Sequence, residues 1–71
     1  MNNIENEIKI LLNLFNGAKY DILISKTKKL IKKIPEYVIL YNILGSAYQS
    51  IGDLKLAKKT FLKGYKMVQT I

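Results

Sequence analysis

An all-α fold of two helix–turn–helix units is what this sequence predicts, and three observations carry it. Four stretches place apolar residues at helical spacing, turn signals separate them, and the pattern recurs after 34 residues. The turn signals are Asn16-Gly17, Pro35 and Gly52-Asp53, residue types that break or reverse a helix. No stretch alternates apolar and polar residues strictly, as a half-buried strand would.

Taken in order, the segments are residues 3–15, 20–34, 36–50 and 54–68, each of three to four helical turns. In the first, Ile4, Ile8, Ile10, Leu11, Leu12, Leu14 and Phe15 cover well over half of the circumference. The second sets Tyr20, Leu23, Leu30, Ile31 and Ile34 against Lys26, Lys28, Lys29, Lys32 and Lys33. The third is again apolar nearly all round, from Val38, Ile39, Leu40 and Tyr41 to Ile43, Leu44, Ala47 and Tyr48. The fourth opposes Leu54, Ala57, Phe61, Tyr65 and Val68 to Lys55, Lys58, Lys59 and Lys66. Asp21 and Asp53 stand at the starts of the second and fourth segments, where a carboxylate complements the helix dipole. The two nearly all-apolar segments are expected to be inner helices and the two Lys-striped ones outer helices.

Shifting the chain by 34 lays Ile10 on Leu44, Leu14 on Tyr48, Tyr20 on Leu54 and Leu23 on Ala57. Asn16-Gly17-Ala18 falls on Ser50-Ile51-Gly52, so turn lies on turn. The chain thus reads as a single domain over 1–71, with repeat one at about residues 4–37 and repeat two at about 38–71.

The second unit runs Tyr41-Asn42-Ile43-Leu44-Gly45-Ser46-Ala47-Tyr48, then Gly52-Asp53-Leu54, Ala57 and Phe61. In this wording the chain resembles the tetratricopeptide repeats, whose 34-residue unit carries a large aromatic, Leu-Gly, a further aromatic, Ala and a closing Pro. The resemblance implies a fragment of an α-solenoid, four antiparallel helices in which Tyr41, Leu44, Gly45, Tyr48, Ala57 and Phe61 pack the repeat. It implies that Gly45 lets paired helices approach, with Tyr41 and Tyr48 beside it and Ala57 facing the contact. The first unit departs from the pattern at Glu7, Leu11, Leu23 and Thr27, and is recognised by its period and by Pro35. In the second, Gly64 takes another small core position and Gln69 stands where the Pro would close the unit. Lys32-Lys33-Ile34-Pro35 ahead of Tyr41-Asn42-Ile43-Leu44-Gly45 is similar to repeats preceding bacterial glycosyltransferase or sulfotransferase domains, which would make the chain an accessory module. Two units without a polar capping helix imply an excerpt of a longer protein or ends covered by another chain.

Composition removes whole classes of chemistry. With no Cys and no His, disulfides, the usual zinc sites, haem ligation and Cys-His or Ser-His-Asp catalysis are absent. The carboxylates are Glu5, Glu7, Asp21, Glu36 and Asp53; the first two lie two apart on one helix and diverge, and the others sit at helix starts. Ser25, Ser46 and Ser50 lack a base, and no phosphate loop, nucleophile elbow or calcium loop occurs. The expectation is no enzyme, no cofactor and no metal. The longest apolar run, Val38 to Tyr41, cannot span a bilayer, and the N-terminus has no basic leader, so no membrane insertion and a cytoplasmic location are expected.

The net charge of +7 comes from twelve Lys and no Arg. Lys26, Lys29 and Lys33 with Lys58, Lys59 and Lys66 could bind a phosphate backbone by counterion release, which makes a nucleic acid or anionic surface the alternative partner. The favoured reading is a solvated convex face. No Arg interleaves the Lys series and no exposed aromatic is evident for base stacking. The primary expectation, which the resemblance implies, is a protein or peptide held in a concave groove formed by the first helices of successive units. Its residues are Ile8, Leu12 and Phe15 with Ile39, Asn42, Ile43, Ser46 and Gln49. Ile8 and Leu12 stand where some family members clamp a carboxylate with Lys and Asn, so a carboxylate clamp is not implied. Ile4, Ile8, Leu12 and Phe15 also exceed what their partner helix can cover, and a homodimer through the first and third helices is expected.

Overall fold

The computed structural model describes residues 4–69; the expected helical start at Asn3 and the last positions of the second unit, Thr70 and Ile71, lie outside the described residues. Four helices follow one another: α1 (Ile4–Asn16), α2 (Tyr20–Lys33), α3 (Val38–Ser50) and α4 (Leu54–Gln69). Among the described residues there is no strand. Each helix packs on the one before it and α3 also reaches α1, whereas α1 and α4 do not touch. The Cα extents are 36 × 35 × 16 Å, a slab two helices thick. Two axes about 8–10 Å apart, with a backbone radius of about 2.3 Å on each side, come close to that smallest dimension.

The first and third helices end alike. Lys19 N–H donates to the Leu14 carbonyl (2.9 Å) and Ala18 N–H to that of Phe15 (3.0 Å). Thirty-four residues on, Asp53 N–H donates to Tyr48 (2.9 Å) and Gly52 N–H to Gln49 (3.1 Å). This pair of bonds satisfies carbonyls left over at a helix end and requires one residue in the left-handed conformation. That residue is Gly52 in the second turn (φ 84°) and Ala18, not Gly17, in the first (φ 59°). Asp53 then caps α4, its Oδ1 accepting the Leu56 N–H at 3.2 Å. The middle connection is longer than its sequence suggests. Ile34 leaves the helical region because it precedes Pro35, and Tyr37 N–H turns back to the Ile34 carbonyl (3.3 Å). Glu36 therefore lies in the turn and α3 starts at Val38 rather than at Glu36.

Burial is concentrated in α3, where Leu40, Tyr41, Ile43, Leu44, Gly45, Ala47 and Tyr48 are all buried. Toward α1 and α2, Leu40, Ile43 and Ala47 meet Leu11 and Leu23, flanked by Leu14, Phe15 and Tyr20. Toward α4, Leu44 and Tyr48 meet Ala57 and Phe61, and Ile24 and Ile31 adjoin both clusters. The expectation of an inner helix thus holds for α3 and fails for α1, where only Leu11 is buried. An end helix has neighbours on one side alone, so Ile10 and Leu12 stay exposed despite the apolar circumference.

The α3–α4 contact is built on two glycines. A Cβ on Gly45 would stand 2.6 Å from Phe61 Cε1, and one on Gly64 would stand 3.0 Å from Tyr41 Cβ. The ring that fills the hollow at Gly45 is therefore Phe61 of α4, where the resemblance implied Tyr41 and Tyr48. Tyr41 instead lies against Gly64, donates from Oη to the Pro35 carbonyl (3.0 Å) and carries the Lys63 ammonium 5.9 Å above its ring. In the first hairpin the positions equivalent to Gly45 and Phe61 are Leu11 and Thr27, both fully buried. Large and small have changed helices, and Thr27 settles its hydroxyl on the Leu23 carbonyl at 2.7 Å.

Two stability predictions follow from these contacts. Ala18→Gly should stabilise the chain by about 0.5–1 kcal/mol, left-handed strain of about 1–2 kcal/mol being relieved against a greater unfolded-state entropy. Gly52→Ala should cost a similar amount although nothing crowds that Cα; thermal melts read both, at about 4–8 °C per kcal/mol for a domain this small. Gly45→Leu should cost about 2 kcal/mol or more by overpacking. Adding Phe61→Thr recreates the Leu11–Thr27 combination, so the double variant should lie about 0.5–3 kcal/mol above the sum of the singles in a urea double-mutant cycle. Strict additivity would mean that the two sites do not share one hollow.

Candidate functional site

Residues 8, 12 and 15 of α1 and 39, 42, 43 and 46 of α3 follow three- and four-residue steps, so each set forms a stripe along its helix. The contact between α1 and α3 turns the two stripes toward one another. Leu12, Phe15, Ile39, Asn42, Ile43 and Ser46 line a groove of about 380 Å³. Ile43 is buried and forms its floor, Leu12, Ile39 and Asn42 are exposed, and Phe15 and Ser46 are half-buried. Phe15 has a double placement, stacking edge-on to Tyr20 (ring centroids 5.7 Å apart, planes at 76°) while lining the groove.

Ile8 is not in this groove. It lies in an adjoining hollow of about 390 Å³ with Ile4, Tyr37 and Ile39, bordered by Glu5 and Lys9. Ile39 belongs to both, so the two hollows share a wall. Tyr37 was missed by sequence reasoning, because the Pro35 turn places it outside the helical period that marks groove positions. Gln49 is a correction of another kind. It lines a hollow of about 440 Å³ with Leu54, Phe61 and Tyr65 of α4. Gln49 lies about one turn beyond Ser46, at the end of α3 beside the turn into α4, where its neighbours belong to α4.

The remaining candidates are dispersed. Of Ile4, Ile8, Leu12 and Phe15, only Leu12 is exposed; the other three are half-buried, so the apolar surface expected to hold a dimer is smaller than α1 suggests. All twelve Lys side chains are exposed. Contrary to expectation an aromatic is offered among them, since Tyr65 is exposed and its Oη accepts from Gln69 Nε2 at 2.9 Å. Among the described residues no three acidic side chains converge in a way that could hold a metal ion, and no helix is long and apolar enough to cross a membrane. What the α1–α3 groove can do chemically is cover apolar side chains while the Asn42 amide and Ser46 hydroxyl exchange hydrogen bonds with a polar backbone.

Comparison with protein-family models, with curated proteins and with solved structures finds no match to this chain.

Wall and floor of the groove should separate in stability. Leu12→Gln and Ile39→Gln should each shift the unfolding free energy by no more than about 0.5–1 kcal/mol, as exposed positions do. Ile43→Gln should cost about 2–4 kcal/mol, losing core contacts and burying an amide. Urea titrations of the three variants measure this.

Proposed function

We propose that this chain is a non-catalytic protein–protein interaction module of tetratricopeptide type. It holds an extended peptide or a partner's helix in the α1–α3 groove. One observation carries the reading: Leu12 and Ile39 present exposed apolar surface in the same groove as the Asn42 amide and the Ser46 hydroxyl. An apolar wall beside a few polar groups is the usual lining of a recognition groove. The 34-residue period and the Gly45–Phe61 packing support the tetratricopeptide assignment. The exposed Lys side chains keep the module in solution and lie off the recognition surface.

NMR titration with capped, neutral peptides rich in Leu, Ile and Phe tests this. The largest amide shifts should fall on Leu12, Ile39, Asn42 and Ser46, and Ile39→Glu should weaken binding about tenfold or more, a loss of about 1.4 kcal/mol. Affinity should change little between low and high salt. A chain that instead binds mixed-sequence RNA, and loses it steeply with salt and on replacing Lys26, Lys29 and Lys33 by Gln, acts through its Lys face.

A further inference from the structure

A second uncovered apolar surface lies on α4, away from the α1–α3 groove. Leu54 is 65% exposed, Tyr65 58%, Val68 54% and Leu62 47%. With Phe61 of α4 and Gln49 of α3, all but Val68 of these border a single hollow of about 440 Å³. An apolar stripe of this length on so small a chain marks a contact surface.

The chain itself shows what kind of element covers such a stripe. Under the 34-residue shift, Leu54, Ala57, Phe61 and Tyr65 of α4 fall on Tyr20, Leu23, Thr27 and Ile31 of α2. In the first hairpin that surface is closed by a helix, α3, which brings Leu40, Ile43, Leu44 and Ala47 against it. In the second hairpin α3 covers Ala57 and part of Phe61, while Leu54 and Tyr65 of the equivalent surface stay exposed.

A second copy of the chain is a poor occupant on two counts. Stacked head to tail, it would use the α1 positions equivalent to Leu40, Ile43, Leu44 and Ala47, which are Asn6, Lys9, Ile10 and Asn13. Three of those four are polar. Packed α4 against α4, it would bring together Lys58, which lines the hollow, and Lys55 and Lys66 on the same flank of each copy, with no acidic residue on either helix. Like charges so placed repel, whereas carboxylates on an incoming helix would be attracted by the same ammonium groups. We propose that the exposed face of α4 docks an amphipathic helix of another protein, its apolar stripe bordered by Asp and Glu, laid along α4 as α3 lies along α2. This site is independent of the α1–α3 groove and stands whether or not a peptide binds there.

Two labelled helical peptides of about 16 residues, long enough to hold a helix, test the site against the full chain by fluorescence anisotropy. Both carry Leu, Ile, Leu and Ala in the spacing of Leu40, Ile43, Leu44 and Ala47; one has Glu and the other Lys on the flanks. The Glu peptide should bind about tenfold or more tightly than the Lys peptide at moderate salt. The double variant Leu62→Gln/Tyr65→Ser, at two exposed positions that leave the core intact, should lose about tenfold of that affinity, while Leu12→Gln in the groove should lose none. Equal binding of the two peptides, or binding indifferent to Leu62→Gln/Tyr65→Ser, overturns the proposal. So does light scattering that finds a dimer of the wild-type chain dispersed by that variant, since the face would then belong to a second copy.

Discussion

Reciprocal glycine–aromatic packing between α3 and α4 is the contact on which the rest of this molecule depends. Gly45 on one helix receives Phe61 of the other, and Gly64 receives Tyr41 in return. The Phe61 ring could not stay if a Cβ stood at Gly45, a Cβ at Gly64 would crowd the Tyr41 Cβ, and the two contacts hold the pair at two levels along its length. With α4 drawn in on one side and α2 on the other, α3 becomes the buried helix that a chain of 71 residues must have. Such a chain hides only about 60% of the surface its unfolded form exposes, so one well-covered helix supplies much of what it can bury. Tyr41 extends the effect, because its hydroxyl bond to Pro35 ties the middle turn to the same contact.

The two hairpins reach similar packing by opposite distributions of volume. The second hairpin puts its small residue on the first helix and its ring on the second, while the first hairpin has Leu11 on its first helix and Thr27 on its second. Volume-conserving exchanges of this sort are the ones cores tolerate best. They also explain how the first hairpin differs so far in sequence from the second while keeping its period and its turn geometry. The shared helix ending, carried by Ala18 in one hairpin and Gly52 in the other, is a backbone requirement that survives the change of residue.

Because α3 has α1 on one flank and α4 on another, the surfaces left over are separate. The α1–α3 groove mixes apolar walls with an amide and a hydroxyl, and its floor is core. The α4 face is a stripe of Leu and Tyr edged by Lys. The proposed occupant of the first is an extended peptide or a partner's helix, for which its amide and hydroxyl offer hydrogen bonds. The proposed occupant of the second is a helix, which satisfies its own backbone and offers only side chains. Gln49 marks the divide, sitting one turn beyond the groove and opening on the α4 side.

Much of this was legible in the sequence. Helix number and order, the three turns and the 34-residue period follow from periodicity, a local property of the backbone, whereas the gathering of Leu12, Phe15, Ile39, Asn42, Ile43 and Ser46 was expected only from the resemblance to tetratricopeptide repeats. Other features depended on the assembled structure. That α1 stays half bare was hidden because burial depends on how many neighbours a helix acquires, which its own apolar pattern does not state. That Phe61 rather than Tyr41 fills the hollow at Gly45 depends on which faces α3 and α4 turn together. That Ala18 rather than Gly17 takes the positive φ depends on where the helix-ending bonds close. Ile8 and Gln49 fall outside the groove because each sits about a turn beyond one of its ends, where the neighbours are Ile4 and Tyr37 or the residues of α4. The sequence by itself determined where this chain is helical and where it turns; only the tertiary structure decided which apolar residues are covered, because covering is done by other helices.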